Sequence, residues 1–373
     1  MINELVIHLG DTKTGSTSIQ KALVQKAYEV PGTAICYPTT NHHNALARTL
    51  NRKRFKADKE TRFTSLYRKF SASKADIGIV SAEHFQFVDP EEFSRAMETY
   101  WPALHGSARL IVYVRPHHEK LLSSFSERVK LGQVQSGFGA FAEDVFAGSL
   151  LDYLPRLRKW REVFGDRFEV RPFVRSALYQ QDVIKDFFRF TLGHEDFAIS
   201  GPVEANSSLT LPQLALLRLV HQALPETLAA KQKEMGPALF EARSTLGRTV
   251  SEHLGDMKLG ADGPRLRLPA SLTEQVQARY AEDAAALDAE FFEGTPMSDA
   301  LAGAGRKASH DPQPLEASDY FAPETVAAVQ AMARIMAGML AEHPKKFLKM
   351  AAKTRLMFTE AGLEQAAKNR TDT

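Results

Sequence analysis

The apolar positions of this chain form short runs near its start and helical stripes further on. Leu5 to Leu9 is a continuous apolar run that stops at Gly10, which predicts a first, buried strand. Thr17 to Val30 sets Ile19, Leu23 and Tyr28 near one face and meets Pro31-Gly32, which predicts a helix. Further strands are predicted at Ala34 to Tyr37, Asp76 to Ser81 and Arg109 to Val114, the last being the richest in β-branched residues. Between them, Asn41 to Lys74 reads as helix in pieces and Pro90 to Leu104 as one helix. His117 to Val134 continues the alternation as a long helix.

Alternating apolar strands and helices predict an α/β fold with a mostly parallel sheet covered on both faces. A helix from Leu151 to Phe164, a strand from Arg167 to Pro172 and a helix from Leu178 to Leu192 extend the pattern. Leu211 to Leu224 is a leucine-rich helix. From Lys231 to Ala270 the periodicity fades, which predicts irregular structure or an inserted loop region. Leu272 to Phe292 is helical again, Thr295 to Pro314 reads as connecting chain, and Pro323 to Leu340 and Pro344 to Ala361 as terminal helices. The expected organisation is an α/β domain over 1–295, with 230–270 as an insertion or acceptor-site loops. A linker over 296–322 and a helical extension over 323–373 follow.

Composition narrows the chemistry. Forty-four per cent of the 373 residues are hydrophobic and 25% charged, ordinary for a globular chain large enough to need no staples. The single cysteine, Cys36, excludes a disulfide framework and cysteine-rich metal sites, and fits a reducing, cytoplasmic location. Forty-seven basic against 45 acidic residues give no case for a nucleic-acid partner held by bulk charge. No apolar run approaches the length of a membrane span. The chain's opening residues, which carry Glu4 and reach a glycine almost at once, are expected to be the first strand and not a signal peptide.

The most informative segment is LVIHLGDTKTGSTSIQKAL. Gly10 and Gly15 frame Asp11-Thr12-Lys13-Thr14, and Ser16, Thr17 and Ser18 open the helix. Glycines permit tight turns and close approach of backbone to ligand. The first helical turn offers unpaired amides at the positive dipole end, and Lys13 adds a cation. The combination suits a phosphate. It is not the G-x-x-x-x-G-K-[ST] loop of nucleoside triphosphatases, because Ser16 follows Gly15 and the lysine comes two residues too early. Read alone, a glycine turn with a Ser/Thr helix cap fits as well.

A second segment, RLIVYVRPHHEKLLSSFSERV, puts Arg115 directly after a strand and Ser123 eight residues on, within the next helix. Parallel strands end on one edge, so Arg115 is expected on the same crevice as the glycine loop. An arginine fork and a serine two helical turns away can hold a second phosphate. A surface ion pair is the plainer reading of Arg115 by itself.

Together the two segments resemble the sulfotransferases that use 3'-phosphoadenosine 5'-phosphosulfate, bacterial carbohydrate-type members in particular. Thr12 to Ser18, TKTGSTS, is similar to their 5'-phosphosulfate loop, and Arg115, Ser123 and Phe125 to their 3'-phosphate motif. Arg171-Pro172-Phe173, the stretch Asp182 to Gly193, and Asn206-Ser207-Ser208 before a leucine-rich helix add to the likeness, which spans residues 5 to 224 and more faintly 272 to 292. The chain departs from the pattern in having Thr12 where proline usually precedes the lysine. It also lacks a clear counterpart of the basic glycine-rich segment over the adenosine, for which Arg243, Arg248 and Lys258 are the basic candidates.

The resemblance implies transfer of a sulfuryl group to a hydroxyl of a carbohydrate or glycolipid, with no metal required. Lys13, Thr14, Gly15, Ser16, Thr17 and Ser18 would hold the 5'-phosphosulfate, and Arg115 and Ser123 the 3'-phosphate. Such chemistry needs a base for the acceptor proton. Glu83, then His84, at the end of the third strand are the candidates. His42 and His43 lie in a polar loop where solvent exposure is the default, and His117 and His118 at a helix start. None has the spacing of a zinc site. The basic run from Arg48 to Lys59 suits either steering of an anionic glycan or a solvated helix face. The basic, partly amphipathic tail from Lys345 to Phe358 suits an anionic membrane surface, here the inner face, and equally packing on the core or another subunit. A kinase using the same anion loop and a binding protein without turnover remain as alternatives.

Overall fold

The computed structural model describes residues 1–200, 208–222 and 227–357; for 227–236, 256 and 352–357 it describes the backbone alone. Asn206, Ser207 and Phe358, singled out above, lie outside these residues. In chain order the elements begin with β1 (Glu4–His8), α1 (Ser16–Gln25), β2 (Tyr28–Glu29), β3 (Ile35–Cys36), α2 (Asn44–Asn51), α3 (Lys59–Ala72), β4 (Ile77–Ser81), α4 (Pro90–Tyr100), α5 (Pro102–His105) and β5 (Arg109–Val114). They continue with α6 (His117–Lys130), α7 (Phe138–Phe146), α8 (Tyr153–Phe164), β6 (Phe168–Pro172), α9 (Val183–Leu192), β7 (Ala198–Ile199), α10 (Leu211–Gln222), α11 (Thr227–Asp256), α12 (Ala270–Phe291), α13 (Pro296–Ala302), α14 (Pro323–Glu342) and α15 (Pro344–Met357).

The protein has the expected α/β fold, a parallel central sheet flanked by helices, with additional C-terminal helices. It divides into two compact units, each assembled from separate stretches of chain. The first comprises Met1–Lys120, Gly148–Asn206 and Thr273–Arg306. Its five-stranded sheet has the order β3-β4-β1-β5-β6, and every pairing is parallel. The inner strands are buried along nearly their whole length, as continuous Val/Ile/Leu runs require. Ile19 and Leu23 of α1 pack with Ile184, Phe187 and Phe188 of α9 against Val6, Ile79 and Ile111 of the sheet. Phe93, Trp160, Phe164 and Phe168 form an aromatic cluster joining α4, α8 and β6.

Helix α1 is shorter than its periodicity predicts. Lys26 takes a left-handed conformation, φ 52°, and its amide closes the last turn on the Ala22 carbonyl. The chain then pairs Tyr28–Glu29 antiparallel with Ala198–Ile199. Tyr28 supplies the reason: its ring lies 4.9 Å from that of Phe188, so the residue serves the core from a strand instead.

The second unit comprises Leu121–Ala147, Ser207–Leu272 and Lys307–Thr373, and its elements among the described residues are helices. Most of the segment expected to be irregular is helix α11, whose Leu239, Ala242 and Leu246 are buried with Val220, Ala333 and Leu340. Its apolar stripe is hard to read because small residues take part of it. At Gly247 an added Cβ would stand 1.8 Å from the Lys130 carbonyl oxygen and 2.8 Å from His221 Nε2. That carbonyl is backbone, accepts a hydrogen bond from His221 at 2.9 Å, and has no easy retreat. Gly247→Ala is therefore expected to destabilise at the upper end of about 1–3 kcal/mol, read as an earlier urea-unfolding transition by circular dichroism. Among the described residues, no helix is long and apolar enough to cross a membrane.

Candidate active site

The sheet register brings two predicted segments together. His8 at the end of β1 pairs with Ser81 of β4, so the residues two further on, Gly10 and Glu83, are also neighbours. A Cβ at Gly10 would lie 3.0 Å from Glu83 Cα and 3.2 Å from the Ala82 carbonyl oxygen. With φ of +50° as well, this position admits glycine alone at no cost. The short helical turn Glu83–Phe87 then holds the loop through Gln86, whose Oε1 accepts from the Thr12 amide at 3.1 Å.

The loop folds around Asp11, which is buried. Its carbonyl accepts from the Thr14 hydroxyl at 2.7 Å and the Ser16 hydroxyl at 3.3 Å. These two predicted ligand residues thus brace the loop in this structure, while Thr17 is exposed and Ser18 half-buried. Lys13, half-buried, carries φ of +68°, a strained choice for a side chain that is not glycine or asparagine. Gly15 caps α1 in the left-handed region, and its carbonyl accepts from Ser18 and Ile19. The amides of Ser16 and Thr17 precede these and have no acceptor within the helix, the geometry that favours an anion.

Arg115 follows β5 on the same edge. Its guanidinium carbon stands 5.0 Å from the centroid of the Phe173 ring. The same ring lies 3.1 Å from where a Cβ at Gly15 would sit, so Phe173 is the common neighbour of both motifs. Arg115 also faces Glu119 at 3.3 Å, and its carbonyl accepts from the Tyr153 hydroxyl at 2.9 Å. Burial pulls its pKa below the ordinary arginine value, with Glu119 acting in the opposite sense; the group stays a cation. Ser123 lies half-buried on the part of α6 that belongs to the second unit.

Helix α2 grips the Glu83 segment. The His43 amide donates to the Ser81 carbonyl at 2.8 Å, and the Ser81 amide donates to His43 Nδ1 at 3.2 Å. The His84 amide donates to Asn44 Oδ1 at 3.1 Å, and Arg48 Nε donates to His84 Nδ1 at 3.4 Å. His43 is buried, against its expected exposure, and burial lowers its pKa to about 4, so it is neutral and can accept. His8 is neutral for the same reason, with a pKa near 3, and shares the Ser81 hydroxyl with Gln20. His117 stacks on Tyr280 and bonds Asp283, a structural position. Of the basic run, Arg48 reaches His84 and Lys59 pairs with Glu92, while Arg52, Lys53, Arg54 and Lys56 are exposed.

Sequence reasoning missed the charges beneath the loop. Asp11 Oδ1 accepts from Lys120 Nζ at 3.0 Å and Oδ2 from Arg156 at 3.0 Å. Lys120 Nζ also bonds the Thr12 hydroxyl at 2.9 Å and the Thr12 carbonyl. Burial alone would raise the Asp11 pKa, but Lys120 and Arg156 outweigh it and hold the group below its ordinary value, as a carboxylate. The available signal was Asp11 itself, because a carboxylate inside an anion cradle demands counter-cations.

No described protein family matches the chain, and no curated protein does. Among solved structures it is similar to a sulfotransferase from Alicyclobacillus acidocaldarius, at 14% identity and a TM-score of 0.40 over 81% of this chain and 99% of that one. Likeness at this level fixes neither residues nor chemistry, which have to come from the chain itself.

Proposed function

We propose that the protein is a sulfotransferase that moves a sulfuryl group from 3'-phosphoadenosine 5'-phosphosulfate to a hydroxyl of a carbohydrate or glycolipid. The supporting observation is the Phe173 ring, which touches Gly15 at the mouth of the anion loop and Arg115 at the end of β5. Two anion-binding elements on one sheet edge suit a ligand with two phosphate groups. The residues fit it: the Ser16 and Thr17 amides and Lys13 would hold the 5' end, and Arg115 the 3'-phosphate. Thr14 and Ser18 join this proposal as loop residues.

In the reaction an acceptor oxygen forms a bond to sulfur while the bond from sulfur to the bridging phosphate oxygen breaks. The acceptor proton passes to Glu83, whose backbone abuts Gly10. Lys13 offsets the negative charge that builds on the bridging oxygen. His84 suits the base less well, because its Nδ1 already accepts from Arg48, which leaves the proton of the neutral ring on Nε2.

The acceptor is proposed to be presented at an anionic membrane surface. Helix α14 exposes Met332, Ile335 and Met339, and α15 exposes Lys345, Lys346 and Lys349.

Calorimetric titration with 3'-phosphoadenosine 5'-phosphate in EDTA, with ATP and ADP as controls, tests the reading. Micromolar binding that needs no metal and prefers the 3'-phosphate is the expected result. Failure to bind that nucleotide, with ATP binding that appears on adding magnesium, sinks the proposal in favour of a kinase.

A further inference from the structure

The least ordinary charge arrangement in the first unit is the one beneath the loop. Asp11 is 2% exposed, and a carboxylate there opposes any phosphate held by the loop amides above it. Lys120 is 1% exposed. A lysine with its ammonium buried is rare unless the charge is paired, since an unpaired cation removed from water is strongly destabilised. Its bonds to Asp11 Oδ1, the Thr12 hydroxyl and the Thr12 carbonyl all fall on the residues immediately before Lys13. Arg156 comes from the first turn of α8, where the helix dipole disfavours a cation, and it too is directed at Asp11.

We propose that Lys120 is a positioning residue that makes the loop competent for an anion, by cancelling the Asp11 carboxylate and fixing the Thr12 peptide that leads into Lys13. Arg156 is the second counter-cation, one-quarter exposed against the buried Lys120. The two cations against one carboxylate leave the base of the loop net positive, which is the sign a 5'-phosphate group needs. The second effect follows from peptide geometry. The Thr12–Lys13 peptide is trans, so a Thr12 carbonyl drawn to Lys120 turns the Lys13 amide the opposite way, off the lysine. This role is additional to the ligand-holding residues named above. It rests on the reading of the loop as a 5'-phosphate site.

The test separates charge cancellation from mere support of the fold by comparing two ligands. 3'-Phosphoadenosine 5'-phosphate uses both anion elements, whereas adenosine 3'-phosphate leaves the loop empty. Lys120→Gln keeps an N–H donor for Thr12 and removes the charge. It is expected to weaken the bisphosphate at least tenfold and to leave adenosine 3'-phosphate within about twofold, so that the preference between them narrows. Asp11→Asn/Lys120→Gln removes the opposing charge as well and is expected to recover most of that preference. An unchanged preference in Lys120→Gln, or equal losses for both ligands in a folded protein, overturns the inference. If Lys120→Gln does not fold, the double variant decides alone: absence of the preference there overturns it too. Wild-type protein that binds neither ligand instead sinks the sulfotransferase reading, a result visible before any variant is compared.

Discussion

Replacing Lys13 by alanine is expected to reduce turnover by at least about a hundredfold, with a much smaller loss of nucleotide affinity. The split follows from where the charge develops. In the bound donor the bridging oxygen shares its charge with sulfur, and only as that bond breaks does the phosphate side gain a full negative charge. A cation at the loop therefore interacts more strongly with the transition state than with the ground state, which is the condition for lowering the barrier. The Ser16 and Thr17 amides at the start of α1, proposed to hold the phosphate, remain in Lys13→Ala. Backbone strain needs its own control, since Lys13 sits at φ of +68°. Lys13→Gly removes the side chain and relieves the strain, and should gain roughly 1 kcal/mol of stability by thermal melting while losing turnover to the same extent. Near-wild-type turnover in either variant rules out the assigned role of the loop.

The parts of the site that were legible in the sequence are those set by local pattern. The run Leu5 to Leu9, the glycines at 10 and 15 and the stripe of Ile19 and Leu23 predict strand, loop and helix without reference to anything distant. Arg109 to Val114 needs only its β-branched content to be read as a strand. The edge shared by Gly10, Glu83 and Arg115 then follows from the parallel rule, because strands that run alike end alike. What was not legible depends on contacts between residues far apart in the chain. Lys120 lies within a predicted helix with nothing local to mark it, and its partner Asp11 is 109 residues away. Arg156 likewise meets Asp11 across 145 residues of chain. Helix α11 failed to register for a different cause. At Gly247 the close approach of the Lys130 carbonyl replaces a side chain, and glycine contributes nothing to a hydrophobic stripe. His43 was placed in solvent by its polar neighbours, whereas its ring accepts from the Ser81 amide and so belongs to the scaffold beneath Glu83.

Glu83→Gln is expected to lower kcat by about 10²–10⁴-fold while leaving the affinity for 3'-phosphoadenosine 5'-phosphate within a factor of about two. The substitution keeps the shape and removes the group proposed to take the acceptor proton. The backbone beneath it should hold still. Glu83 is pressed against Gly10, Ser81 is tied to His43 through both its amide and its carbonyl, and Gln86 bonds the Thr12 amide. A loss confined to kcat then reports chemistry, since a shifted loop would weaken the nucleotide as well. His84→Gln supplies the contrast. The ring nitrogen that faces Arg48 is an acceptor, and the other carries the proton in the neutral form, so His84 is a donor toward whatever it meets there. Its replacement should change kcat by no more than a few-fold. The opposite ranking, with His84→Gln inactive and Glu83→Gln active, would move the base by one residue and leave the nucleotide assignment standing, because Lys13 and Arg115, the residues proposed to hold the nucleotide, follow other strands. Equal, small effects from both would point to a proton acceptor outside this turn.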